Sequence, residues 1–175
     1  MEKNDEWASY LQEICYPVER YLLGFTVRDK ERLAGAIITS AFLNGTIGFD
    51  QLRKIPQDRS LETIGSYVLA FAILEQFPQK ETATPQEVND FREFHTSSLT
   101  LHWFARNHLH LQHFMLWGPG EKENGTGDQP PMKMLAERFG MLVGVIYLEK
   151  GIEAVREFLK KHHFFEEIDR LNKPG

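Results

Sequence analysis

A single cysteine, Cys15, stands among the 175 residues, so neither an internal disulfide nor a cysteine-based metal cluster is open to the chain. No apolar run approaches the roughly 18 residues that a membrane-spanning helix requires. The opening Met1-Glu2-Lys3-Asn4-Asp5-Glu6 is charged where a secretory signal would be apolar. Basic excess is lacking as well: 20 Lys and Arg face 25 Asp and Glu, for a net charge of −5 and a pI near 5.8. That balance excludes coating nucleic acid through bulk charge. The adjacent pairs Arg53-Lys54 and Lys160-Lys161 read as solvated surface. A Gly-x-x-x-x-Gly-Lys phosphate loop, a Gly-x-Ser-x-Gly elbow and a His-Glu-x-x-His zinc motif are all missing. Asn44-Gly45-Thr46 and Asn124-Gly125-Thr126 match the glycosylation acceptor pattern but, with no secretory signal, read as turns. These absences predict a soluble, cytoplasmic protein with no membrane contact.

What is present is ordinary in amount and helical in pattern. Hydrophobic residues make up 42% and charged residues 26%, which is globular composition, and the length suits one domain over 1–175. Trp7, Leu11 and Ile14 fit a short amphipathic helix ending before Pro17. Asp29 is placed to cap a second helix burying Leu33, Ile37, Ala41 and Phe42, with Asn44-Gly45 ending it. Leu61, Ile64, Val68, Phe71 and Leu74 predict a third helix from near Arg59 to Phe77, stopped by Pro78. Thr84-Pro85-Gln86-Glu87 is a complete capping box with proline at the first helical position; its helix is expected to bury Val88, Phe91 and Phe94. A segment with Leu99, Leu101, Phe104 and Ala105 follows. Gly118–Pro131 reads as a long polar loop, of a kind that is often functional. A very apolar helix runs from Met132 to about Leu148, and Gly151 separates it from a last helix ending near Phe165. No strand alternation stands out, so the predicted class is all-α.

Two groups of residues carry candidate chemistry. His102, His108, His110 and His113 lie close in sequence, but His108 and His110 share no helix face, so they read as half-exposed loop histidines rather than metal ligands. Glu62 and Glu137 lie on two of the predicted helices. Taken alone, each is a solvated helix residue.

Both belong to longer blocks. Arg59-Ser60-Leu61-Glu62-Thr63-Ile64-Gly65-Ser66 resembles the Glu-Arg-Leu-Glu-Phe-Leu-Gly-Asp helix of the ribonuclease III endonuclease domain. Leu23-Gly24-Phe25-Thr26-Val27-Arg28-Asp29-Lys30 is similar to that family's Leu-Gly-Tyr-Thr-Phe-Lys-Asp-Lys opening. Leu116-Trp117-Gly118-Pro119-Gly120-Glu121 is similar to its Leu-x-Leu-Gly-Pro-Gly-Glu loop, and Leu135-Ala136-Glu137 with Gly144-Val145-Ile146-Tyr147-Leu148 to its Leu-Ala-Asp…Gly-Ala-Ile-Tyr-Leu helix. Order and spacing agree over roughly residues 22–160. The double-stranded-RNA-binding domain that often follows in the family has no counterpart before Gly175.

The resemblance implies an all-α ribonuclease III-like fold, a homodimer, double-stranded or structured RNA as partner, and Mg²⁺ held by carboxylates for phosphodiester hydrolysis. Carried over one position at a time, the family's first glutamate falls on Arg59 and its second on Glu62. The aspartate one turn later falls on Ser66, the aspartate of the later helix on Glu137, and the last glutamate on Gly140. Two of four direct ligands are thereby gone, so Glu62 and Glu137 are remnants that hold Mg²⁺ weakly or not at all, and no cofactor is expected. Arg59 is placed to pair with Glu62 or Glu137. Gly65 and Gly140 suggest two helices crossing tightly. The family's interface phenylalanine falls on Thr63, leaving Tyr67, Phe71 and Ile73 to support a symmetric contact or join the core. The expected function is therefore a ribonuclease III-like RNA-processing or RNA-binding protein that has lost cleavage. The alternatives are an active endoribonuclease with a rearranged site, helped by Glu121 or Asp58, and a structural protein-interaction module.

Overall fold

The computed structural model describes residues 2–45, 52, 55, 59–78 and 81–171. Its elements are α1 (Glu2–Pro17), α2 (Lys30–Ile37), α3 (Ser40–Gly45), α4 (Arg59–Leu74), α5 (Pro85–Thr96), α6 (Ser98–Trp103), α7 (Pro119–Glu123), α8 (Met132–Lys150), α9 (Ile152–Lys161) and α10 (Phe164–Leu171). Among the described residues the one β feature is an isolated parallel bridge between Ile38 and Leu116. The fold is all-α. Arg53-Lys54 and Asp58 lie outside the described residues.

Helix α8 is the axis. From Leu135 to Ile146 it is buried except at Glu137 and Arg138, because leucine, valine, phenylalanine and glycine surround it rather than forming one stripe. Helices α2, α4, α6 and α9 pack around it. At one end Phe104 meets both Phe139 and Phe164 edge to face, lying 5.6 Å from Phe139 and 4.8 Å from Phe164 between ring centres.

Several boundaries differ from the sequence pattern. The first helix does not end before Pro17. It passes through it and continues as a π-helical stretch, Val18–Leu23, whose wider turn accommodates the proline's missing N–H. Gly24, at φ +81°, closes that stretch, its N–H donating to Glu19 O at 2.7 Å. The second helix is two: it breaks at Ile38, where Thr39 N–H donates to Leu116 O and Leu116 N–H to Ile37 O, so Ala41 is exposed and Phe42 only half-buried on α3. Helix α4 stops at Leu74, where Gln76 and Phe77 turn tightly. The long loop contains α7, and the last helix is broken at His163, φ +51°. Asp29 and the Thr84–Glu87 box cap their helices as read, while the buried residue of α5 is His95, with Val88, Phe91 and Phe94 only half-buried.

Burial lowers the pKa of His95, His102 and His162 from 6.5. In the unfolded chain these rings take up protons near pH 6.5, so below that value the unfolded state holds more protons than the folded one. Their contribution is complete above pH 6.5 and is lost as pH falls toward the depressed folded values. The melting temperature is therefore expected to be lower at pH 5.5 than at pH 7.5 in thermal melts, with a shallower pH dependence in His95→Phe.

Candidate functional site

Glycines set the geometry of the α4–α8 crossing. A Cβ at Gly65 would lie 1.8 Å from the Gly140 carbonyl oxygen, and one at Gly144 would lie 2.5 Å from Leu61 O. The two backbones therefore touch. Gly140 is different from what the sequence suggested: it offers its carbonyl to the contact, but its own Cβ position is open, 3.6 Å from Ser66 Oγ and 4.0 Å from Glu62 Cγ. The tight pair is Gly65 and Gly144, and position 140 looks toward Glu62 and Ser66.

Beside this crossing lies a cleft of about 500 Å³, lined by Arg59, Glu62, Lys133, Glu137, Arg138 and Ser40 together with Pro131, Met134 and Met141. All five positions selected from the sequence thus meet in one place. Arg59, Glu62 and Glu137 line the cleft, and Ser66 and Gly140 face each other next to Glu62. Glu62 and Glu137 are half-buried and Arg59 is exposed. The expected Arg59 ion pair is absent among the described residues; Glu137 pairs instead with Lys133, one turn earlier on α8, at 3.6 Å. With Lys133 largely exposed, that pair contributes little to stability.

The residue that sequence reasoning missed is Arg138. It is half-buried, and its Nη1 donates to Gly35 O at 2.8 Å and approaches Met141 Sδ at 3.7 Å. Burial lowers its pKa, against the opposing pull of Glu137, Glu121 and Glu62. A guanidinium stays charged under such conditions. The site is thus a fixed cation set among carboxylates. Its acceptor lies 103 residues away in sequence, so only a neighbour of Glu137 in the chain was visible beforehand.

The other sequence candidates are placed elsewhere. Glu121 caps α7: its Oε2 accepts from Gly118 N at 2.8 Å and from Thr39 Oγ1 at 2.5 Å, which fixes it to the loop. Among the histidines, His102 sits on α6 rather than in a loop. His108, His110 and His113 line a shallow depression with His162, and His108 approaches Glu167 at 3.8 Å. Among the described residues no three His, Cys, Asp or Glu side chains converge in a way that holds a metal ion. Cys15 is fully buried, and burial, with Glu19 nearby, pushes its thiol up to about 12, so it is no nucleophile. On α4, Tyr67 and Phe71 are 76% and 54% exposed, whereas Ile73 is buried. The line facing α8 is Leu61, Gly65, Leu69 and Ala72, which leaves Phe71 on the outer side of the helix rather than in the core.

A family profile described as Ribonuclease-III-like matches residues 29–166, a span that includes every residue of the cleft. The chain belongs to the ribonuclease-III-like family. It is 31% identical over 150 residues to ribonuclease 3 of Bacillus cereus strain G9842, covering 84% of this chain and 58% of that protein. Ribonuclease 3 of Protochlamydia amoebophila is 29% identical over 151 residues, covering 84% of this chain and 57% of that one. The chain therefore spans well under two thirds of the length of these relatives. A solved nuclease domain of ribonuclease III from Campylobacter jejuni superposes with a TM-score of 0.64 at 21% identity, over 85% of this chain and 94% of that one. Its published description concerns flexibility in a region involved in dimer formation. A second structure of that domain gives a TM-score of 0.59 at 21% identity, over 94% of this chain and 95% of that one. Among the described residues no helix is long and apolar enough to cross a membrane.

Membership in the ribonuclease-III-like family implies Mg²⁺ at these helices. Mg²⁺ requires near-octahedral oxygen ligation. Among the described residues the cleft offers two carboxylates, Glu62 and Glu137, with the Arg138 cation beside them, and no three ligating side chains converge there.

Proposed function

We propose that this chain is a ribonuclease-III-like domain that binds structured RNA without cleaving it. The observation that supports the reading is Arg138: a cation anchored on the Gly35 carbonyl stands among Glu62 and Glu137, where three family carboxylate positions carry Arg59, Ser66 and Gly140. Arg59, Lys133 and Arg138 then present N–H donors to phosphodiester oxygens, and guanidinium groups suit that geometry because they bond two oxygens at once. Glu62 and Glu137 limit how far the local potential rises. With the chain at net −5, affinity for RNA rests on this cleft rather than on long-range attraction. The exposed Tyr67–Phe71 stripe supplies the apolar surface for a symmetric dimer, as in the family.

The test is a labelled RNA duplex incubated with the purified protein in Mg²⁺ and in Mn²⁺, with binding followed in EDTA across a salt series and Glu62→Gln run alongside. The expected result is intact RNA and binding that survives EDTA and weakens steeply with salt. Replacing both Arg59 and Lys133 by alanine should lower the salt slope by roughly 2. Cleavage that disappears in Glu62→Gln would establish a working, rearranged nuclease instead. Absence of both cleavage and binding would overturn the RNA-binding reading and favour a protein-interaction module.

A further inference from the structure

A cavity of about 680 Å³ shares no lining residue with the cleft. It opens between the end of α4 and helices α5, α9 and α10, and its size is that of a ligand site. Phe91 and Phe165 form its aromatic walls around His95, whose ring centre lies 4.1 Å from that of Phe91 and 5.9 Å from that of Phe165. His95 is only 4% exposed. Its Nδ1–H donates to Phe91 O at 2.8 Å, within its own helix, so Nε2 is the remaining acceptor of a ring that lines the cavity. Nε2 has no hydrogen-bond partner among the described residues.

The rim has the opposite character. Glu157, Glu166 and Asp169 are exposed, and none has an ion-pair partner among the described residues. Of the two rim cations, Arg156 is committed to Glu75, at 2.8 Å from Nε, and to Glu153, which leaves Lys160 against three carboxylates. The cavity therefore combines aromatic faces, the free acceptor of a buried histidine and a negative edge. A nucleic-acid phosphate is repelled there, and no metal-holding group of three side chains exists among the described residues. The fitting ligand is a cation rich in N–H donors with a flat body that stacks on aromatic rings, which describes a guanidinium.

We infer that this cavity is a docking site for an arginine side chain of a partner polypeptide, the guanidinium donating to His95 Nε2 and the rim carboxylates while stacking against Phe91 and Phe165. The site is independent of the RNA-binding reading and survives its failure. Three short fluorescein-labelled peptides, identical except for a central arginine, citrulline or glutamate, test it by polarisation. ¹H–¹⁵N shift mapping on the full chain locates the binding. The arginine peptide is expected to bind and to move the amide signals of Phe91, His95 and Phe165. The citrulline peptide should bind about tenfold more weakly, a difference of about 1.4 kcal/mol, and the glutamate peptide should not bind. Glu166→Gln with Asp169→Asn, both at exposed positions, should weaken the arginine peptide by about the same factor without changing the melting curve. Equal binding of the citrulline peptide, shifts confined to other residues, or no binding of the arginine peptide at about 1 mM would overturn the assignment.

Discussion

Gly65→Ala is expected to be among the most damaging single substitutions in this protein, costing about 3 kcal/mol or more in urea denaturation. The added methyl would sit 1.8 Å from the Gly140 carbonyl oxygen and 2.9 Å from Gly144 N, both backbone atoms with no side-chain freedom to yield. Relief requires α4 and α8 to separate, and these two helices hold Leu61, Leu69, Leu142 and Ile146 together in the core. Gly140→Ala is the internal control. Its methyl meets nothing nearer than 3.6 Å, so removing a mid-helix glycine should leave stability unchanged or raise it by up to about 1 kcal/mol. Equal losses for the two variants would refute this account of the crossing.

Glu19→Ala is expected to cost about 3–5 kcal/mol, because it strips the partner from a buried ion pair. Glu19 is 5% exposed; its Oε1 accepts from Val27 N at 2.6 Å and from Lys30 Nζ. One carboxylate therefore ties the π-helical stretch, the turn at Gly24 and the start of α2 into one unit. Alanine leaves the Val27 N–H and the Lys30 ammonium without it. Glu19→Gln, which keeps an acceptor for Val27, should recover part of the loss in the same denaturation series.

The sequence displayed the fold best where the signal was local. Thr84 and Glu87 bond each other within four residues, and Asp29 caps Arg32 within three, so the spacing alone announced both helix starts. Long-range competition was invisible. The break after Ile37 exists because Leu116 captures its backbone, and a partner some eighty residues away leaves no mark on the periodicity. Phe71 matched the helical period yet points outward, since the crossing with α8 is set by Gly65 and Gly144, and a glycine adds nothing to an apolar stripe. For the cleft, resemblance supplied the five positions and the structure brings them together, whereas the role of Arg138 depends on where the Gly35 carbonyl lies.

The room for a Cβ at Gly140 bears on what this site tolerates. Nothing in the packing demands glycine there, so the absent side chain is not a requirement of the fold. A saturation library screened for folding alone should return only glycine at 65 and 144 while position 140 also accepts alanine. A methyl group could thus be gained at that point in a single step that leaves the scaffold intact. Tolerance beside the cleft and rigidity at the helix crossing are, in this molecule, set by glycines one helical turn apart.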